Sequence, residues 1–111
     1  MQLVVVGLAT DAKEMAALEI KDIEIASKDG CVWCERAIKL VEDWADLSGK
    51  EQHVNVRVSK PPAEKGTAEY DEFVLAIKAR ISPNPHASFP FVWVDGEFVG
   101  GYQGLKRQLL R

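Results

Sequence analysis

Two cysteines, Cys31 and Cys34, are the residues of this 111-residue chain whose type and spacing most directly predict chemistry. They follow an apolar run at residues 23–26 and a short polar turn at residues 27–30. Apolar residues then recur at helical spacing, at Ala37, Ile38 and Val41, so the pair is predicted to lie where a strand is followed by a helix. The unpaired N–H groups of a first helical turn stabilise a thiolate, and such positions lower a cysteine pKa from about 8.5 to roughly 3.5–7.5.

The second cysteine lies one helical turn after the first, at a spacing that allows a disulfide to form and break without unfolding the helix. We predict that Cys31 is the nucleophile and that Cys34 resolves the resulting mixed disulfide. Two other interpretations remain open, half of a zinc site or a pair of inert buried thiols. A zinc site would need further ligands from His53 and His86, which are distant in sequence and lack ligand spacing.

Composition limits the classes of function. The chain has 47% hydrophobic and 28% charged residues with a net charge of −3, which is typical of one globular domain and gives no electrostatic reason to expect nucleic acid or membrane as a partner. The first apolar run is too short to cross a membrane and lacks a preceding basic segment. With only two cysteines, these features predict a cytoplasmic protein.

Periodicity and turn signals predict alternating strands and helices before a final hairpin and helix. The predicted elements are strands at Gln2–Val6, around Ile23, at His53–Ser59 with one buried face, at 89–94 and at 98–99; and helices at Asp11–Ile20, at Val32–Leu47 ending at Ser48–Gly49, from the N-cap Thr67 to Ile81, and at Tyr102–Leu109.

The order of these elements predicts an α/β fold. Helix crossovers imply parallel strands, and an Asp95-Gly96 hairpin adds an antiparallel edge. The expected architecture is a mixed four- to five-stranded sheet with helices on both faces.

Four spaced segments resemble a known family. Ser27-Lys28 before the cysteine pair, and the segments 88–90 (SFP), 94–96 (VDG) and 99–101 (VGG), are similar to positions of the thioredoxin superfamily and, more closely, of small dithiol glutaredoxins of bacteria and phages. The resemblance covers residues 23–110, so residues 1–20 are interpreted as a β-α extension of a single domain spanning residues 1–111.

The resemblance implies a thioredoxin-like fold and a glutathione-dependent thiol-disulfide oxidoreductase that needs no metal. It implies a cis bond between Phe89 and Pro90, with the Phe89 backbone pairing with the cysteinyl unit of glutathione and Lys28 facing its glycyl carboxylate. Expected partners are glutathione and a disulfide-containing protein, with ribonucleotide reductase as one candidate, and the expected state is a monomer. The remaining substrate-binding residues expected are Val32, Trp33, Gly100, Gly101, Tyr102 and Gln103.

Three positions depart from related patterns. Ile25 stands where thioredoxins usually have a buried acid, Gln103 where many glutaredoxins have an aspartate, and Val32 where proline is frequent. Glutaredoxins in which the proline between the cysteines is replaced, as it is here by Val32, sometimes bridge a [2Fe–2S] cluster between two chains, so a cluster carrier is the alternative function. A third hypothesis, a non-catalytic interaction module, requires Cys31 to be buried or to have an unshifted pKa.

Overall fold

The structure is a computed structural model that describes residues 20–47 and 54–110. The predicted strand Gln2–Val6, all but the last residue of the predicted helix Asp11–Ile20, and the predicted helix stop at Ser48–Gly49 lie outside the described residues.

The described residues form four strands and three helices in the order predicted from Ile23 onward. The elements are β1 (Asp22–Ala26), α1 (Val32–Leu47), β2 (Asn55–Ser59), α2 (Ala68–Ile81), β3 (Phe91–Val94), β4 (Glu97–Gly100) and α3 (Tyr102–Leu109). The sheet order is β2-β1-β3-β4. Strand β1 lies at the centre, and the chain leaves its carboxyl end directly into the turn that carries the cysteines.

Strand directions confirm one prediction and correct another. Strands β1 and β2 are parallel, as the intervening helix α1 predicts. Strand β3 is antiparallel to β1, with Phe91 opposite Ala26 and Val94 opposite Ile23, so the prediction of a parallel β3 is wrong. A connection gives a parallel strand when the chain returns to the end of the sheet at which the preceding strand began. Here the loop at residues 82–90, which follows α2, leads into β3 at the opposite end, where Phe91 lies beside Ala26.

The sheet is covered on both faces, which explains why every residue of β3 is buried. One face packs against α1 and α3, and the other packs against α2, with the aromatic rings of β3 on that side. The two tryptophans predicted to be in the core, Trp44 and Trp93, are only 7% and 2% exposed. The mixed α/β fold predicted from the sequence is confirmed.

The β3–β4 hairpin forms at the predicted Asp95-Gly96 turn. Both residues have positive φ, 50° and 84°, as a type I′ turn requires. The Asp95 carboxylate also accepts hydrogen bonds from the backbone N–H groups of Lys21 and Asp22, at 3.0 and 2.8 Å. The turn residue therefore fixes the start of the central strand as well as the hairpin.

Strand β2 differs from the sequence-based expectation of one buried face. Its two valines, Val56 and Val58, are 40% and 42% exposed. Among the described strands β2 is at the edge of the sheet, and the two valines line an apolar groove with residues of α1.

Helix α2 begins as predicted. The Thr67 hydroxyl accepts a hydrogen bond from the Tyr70 N–H at 3.2 Å, which is an N-cap. Near its other end, Arg80 donates two hydrogen bonds to Glu24 on β1, at 2.7 and 2.9 Å, and its guanidinium lies 4.0 Å from the centre of the Trp93 ring. These contacts join α2 to the sheet and lower the pKa of the Glu24 carboxyl.

Within residues 20–47 and 54–110, no helix combines the length and the apolar character that crossing a membrane would demand.

Candidate functional site

The cysteine pair lies at the predicted strand-to-helix junction. Cys31 precedes the first residue of α1, and its carbonyl accepts a hydrogen bond from the Glu35 N–H at 3.1 Å. The Cys34 N–H points back and donates to the Cys31 Sγ at 3.2 Å. The two sulfurs form a disulfide, with the Cα atoms 5.2 Å apart. In the reduced protein, this N–H group and the positive end of the helix would favour negative charge on the Cys31 sulfur.

The two cysteines differ in how solvent can reach them. Cys34 is fully buried, with 0% exposure, whereas Cys31 is half-buried. A disulfide substrate can therefore contact the sulfur of Cys31 but not that of Cys34. This accessibility argues against a non-catalytic module with a buried Cys31.

The turn before the cysteines is held by contacts with the last residue of β2 and with the residue that follows it. The buried Ser27 donates its N–H to the Ser59 carbonyl at 2.8 Å, and Asp29 forms an ion pair with Lys60 at 3.0 Å. Gly30 has a φ of 73°, a backbone conformation that residues with a Cβ rarely adopt. These features position Cys31 just beyond the carboxyl end of β1.

The Phe89-Pro90 bond is cis, as the family resemblance implies. Pro90 is buried, and the Phe89 ring stacks on Phe73 and packs edge-on against Phe91, with centroids 6.4 and 5.1 Å apart. Within the described part of the chain, neither the N–H nor the carbonyl of Phe89 has a hydrogen-bond partner. The backbone of Phe89 is thus fixed by its side chain and free to pair with an extended ligand.

His86 has a role that the sequence did not reveal, since it was considered there only as a zinc ligand. Its Nε2 lies 2.6 Å from the Ser88 carbonyl oxygen and 3.2 Å from that of Pro90. Two acceptors on one nitrogen require that nitrogen to carry the proton. The ring also packs edge-on against Phe91 and Phe98. His86 therefore holds the loop at residues 86–90 in place against strands β3 and β4. The other candidate zinc ligand, His53, lies outside the described residues.

The glycines after β4 allow α3 to approach this loop closely. A Cβ at Gly101 would lie 3.1 Å from the His86 ring and 3.3 Å from the Pro90 carbonyl oxygen. A Cβ at Gly104 would overlap the Val99 carbonyl oxygen. Packing therefore disfavours a side chain at Gly101, and at Gly104 it excludes one unless the backbone moves.

These elements enclose an open pocket of about 390 Å³ beside the cysteine pair. It brings together most of the predicted substrate-binding residues, and the Trp33 and Tyr102 rings at its rim are 5.4 Å apart. Three further polar residues line it that were not predicted to bind substrate: His86, Ser88 and Arg107. The predicted residues in this pocket are Trp33, Phe89, Pro90, Gly100, Gly101, Tyr102 and Gln103.

Two predicted substrate-binding residues lie outside this pocket. Val32 is 57% exposed and does not line this pocket. Lys28 lies on the other side of Phe89, with its Nζ 5.5 Å from the centre of that ring. Lys28 and the pocket therefore flank Phe89 from two sides.

The described residues that line the pocket carry positive charge and no negative charge. Among the described residues that line it, none carries a carboxylate, and Arg107 supplies a guanidinium one helical turn after Gln103. The sequence contained a signal for Arg107, because residues i and i+4 share one face of a helix. The signal was missed because no motif drew attention to the last turn of α3.

No family model matches the chain, and no curated protein sequence is detectably similar to it. Solved structures do match. Glutaredoxin 1 from Francisella tularensis, complexed with cacodylate, is 18% identical with a TM-score of 0.49, a match that covers 77% of this chain and 87% of that one. Reduced Escherichia coli glutaredoxin is 25% identical with a TM-score of 0.51, and here the match covers 75% of this chain and 86% of that one.

The likeness to the Escherichia coli protein extends over most of both chains and agrees with the fold described above. It also agrees with the segments of the sequence that resemble the glutaredoxins. Since a C-x-x-C disulfide stands at the start of the first described helix of that fold, the chain resembles the glutaredoxins in both fold and reactive pair, and it is a thiol-disulfide oxidoreductase.

Proposed function

We propose that the chain uses glutathione to reduce glutathione mixed disulfides and protein disulfides. The observation that carries this proposal is the asymmetry of the cysteine pair beside the pocket. Cys31 can be reached at the helix start, Cys34 is buried behind it, and Trp33 between them lines the pocket. The pair can therefore accept a substrate on one sulfur and release it with the other.

The charges around Phe89 suit glutathione, which has a carboxylate at each end, an ammonium group at one end and peptide groups between. Lys28 on one side of Phe89 suits the glycyl carboxylate, and Arg107 on the other side suits the γ-glutamyl carboxylate. The Phe89 N–H and carbonyl suit the cysteinyl unit between them. Gln103 can accept a hydrogen bond from the ammonium group or donate one to the carboxylate, which compensates in part for the missing aspartate.

For a glutathione mixed disulfide, the reaction needs only one cysteine. The Cys31 thiolate attacks the glutathione sulfur, the substrate disulfide breaks, and the protein thiolate leaves and takes up a proton. A second glutathione thiolate then attacks the glutathione sulfur bound to Cys31. This step releases oxidised glutathione and restores the Cys31 thiolate, so one molecule of free glutathione is consumed for each mixed disulfide that is reduced.

For a protein disulfide, both cysteines take part. Cys31 attacks one substrate sulfur and forms a mixed disulfide, while the second substrate sulfur leaves as a thiolate. The Cys34 thiolate then attacks the Cys31 sulfur, which releases the other substrate thiol and leaves the Cys31–Cys34 disulfide of the present structure. Two molecules of glutathione return this disulfide to the dithiol and leave as oxidised glutathione.

The family resemblance supports three finer parts of the proposal. They are that the protein is cytoplasmic, that it acts as a monomer, and that its substrates are disulfide-containing proteins, with ribonucleotide reductase as a candidate.

Reductase coupling tests the proposal. We expect the protein to reduce 2-hydroxyethyl disulfide when glutathione, glutathione reductase and NADPH are supplied, and Cys31→Ser to abolish this turnover. Thioredoxin reductase with NADPH should not replace the glutathione system. NADPH oxidation with thioredoxin reductase alone would contradict the dependence on glutathione.

A further inference from the structure

A second groove opens on the α2 side of Phe89, opposite the pocket described above. Its volume is about 540 Å³, and its walls come from the turn before the cysteines, from α2 and from the loop at residues 86–90. The groove contains three lysines, Lys28, Lys65 and Lys78.

These lysines give the groove a positive charge, although the chain as a whole has a net charge of −3. Asp71 is the one carboxylate among the described residues that line the groove. Elsewhere the basic side chains Lys39, Lys60, Arg57 and Arg80 form ion pairs. Over the ranges 20–47 and 54–110, the three groove lysines form no ion pair with a carboxylate, so their charges are available to a ligand.

The groove also offers apolar surface. Asp71, Val74, Leu75 and Lys78 are spaced at i, i+3, i+4 and i+7 and therefore share one face of α2. Leu75 is 64% exposed there, and the Tyr70 side chain also lines the groove. A partner with acidic residues and an apolar side chain would match this combination.

The groove is continuous with the reactive site. Ser88 and Phe89 line both the groove and the pocket beside the cysteines. An extended peptide that pairs with the free backbone groups of Phe89 would place its disulfide near Cys31 and its flanking residues in the groove. Leu75 and Lys78 lie further along α2 and also line the groove. The groove is therefore long enough to contact substrate residues beyond the disulfide itself.

We propose that this groove binds an acidic, partly apolar segment of the protein substrate next to the disulfide that is reduced. The inference rests on the proposed function and adds the class of substrate to it. The lysines attract the acidic residues of the segment, and Leu75 and Tyr70 contact its apolar side chain. Since Lys65 and Lys78 are exposed and Lys28 is only half-buried, their contribution acts mainly on encounter and on KM and decreases as salt is added.

Two glutathionylated peptides of equal length test the proposal. They share the modified cysteine and one flanking leucine and differ in three flanking residues, which are Asp or Glu in one peptide and Asn or Gln in the other. We expect kcat/KM to be about tenfold higher for the acidic peptide at low ionic strength, and the ratio to decrease toward one at roughly 0.5 M salt.

The double variant Lys65→Gln/Lys78→Gln should reduce this ratio to less than about threefold. The matched control is Lys39→Gln/Lys106→Gln, which removes the same charge from α1 and α3 outside the groove and should leave the ratio unchanged. The ratio compares two substrates of one enzyme, so a general loss of stability or activity cancels.

Equal rates for the two peptides would overturn the proposal, including the case in which both bind through apolar contacts alone. An equal decrease in the control variant would also overturn it, because the effect would then reflect net charge. Turnover of 2-hydroxyethyl disulfide distinguishes failure of the groove proposal from failure of the proposed function. If that turnover occurs and the peptides do not differ, the groove is excluded while the proposed function stands; if it does not occur, the proposed function itself fails.

Discussion

Replacing Gly104 by alanine should destabilise the protein, although alanine favours a helix. An added Cβ would overlap the Val99 carbonyl oxygen and lie 2.8 Å from its carbonyl carbon, and real Cβ contacts essentially never fall below 3.0 Å. Both obstacles are backbone atoms, so no side-chain rotation removes them. Helix α3 would have to move away from β4 and take the buried Leu105 and Leu109 with it.

The magnitude follows from two opposing effects. Helix propensity favours alanine over glycine by about 1 kcal/mol, while forcing extra volume into a packed interface typically costs about 1–3 kcal/mol. The rigid obstacle at Gly104 puts the cost at the upper end, which leaves a net loss of about 2 kcal/mol and a decrease in Tm on the order of 10 °C.

Urea denaturation followed by tryptophan fluorescence, together with thermal unfolding, would measure this loss. The matched control is Gln103→Ala on the same helix, an exposed position that should change the free energy of unfolding by less than about 0.5 kcal/mol. A Gly104→Ala protein as stable as the wild type, or more stable, would refute the close packing of α3 on β4.

Three further outcomes are expected. Asp95→Ala removes two hydrogen bonds to the start of β1 and places alanine at positive φ. The free energy of unfolding should therefore fall by about 1–2 kcal/mol. Asp95→Asn should lose less, because asparagine tolerates that φ and keeps a hydrogen-bond acceptor. Hydrogen bonding by Arg80 holds the pKa of Glu24 below its usual value of 4.5; this contribution to stability is present above that pH and is lost as the carboxyl is protonated at lower pH. The free energy of unfolding of Glu24→Gln should therefore fall less steeply than that of the wild type between about pH 6 and pH 3, and parallel curves would contradict the ion pair. Anaerobic reconstitution with iron and sulfide should leave a colourless monomer by absorption and sizing, because one chain supplies two thiolates where a [2Fe–2S] cluster needs four ligands, and a stable brown dimer would favour the cluster carrier.

Local signals in the sequence were sufficient for the described elements and for the reactive pair. Helical spacing after Cys34 and the Asp95-Gly96 turn each reflect interactions between near neighbours, and both predictions are confirmed. The position of the cysteines at the junction of β1 and α1 follows from the same local pattern.

The errors concern relations between distant parts of the chain. The direction of β3 depends on where the loop at residues 82–90 delivers the chain, and periodicity does not contain that information. The exposure of Val56 and Val58 depends on the place of β2 in the sheet, which an alternating pattern cannot specify. His86 and Arg107 were missed for a related reason, since their roles arise from contacts with segments that no short motif connects to them.

The most direct test of the central claim is mass spectrometry of the intact protein after reaction with oxidised glutathione. Because Cys31 can be reached and Cys34 is buried, we predict that Cys34→Ser accumulates one glutathionyl group on Cys31 and retains turnover of glutathione mixed disulfides. Cys31→Ser should remain largely unmodified and inactive in the same assay. A protein in which Cys31→Ser is the variant that becomes glutathionylated and stays active would contradict the assignment of the nucleophile.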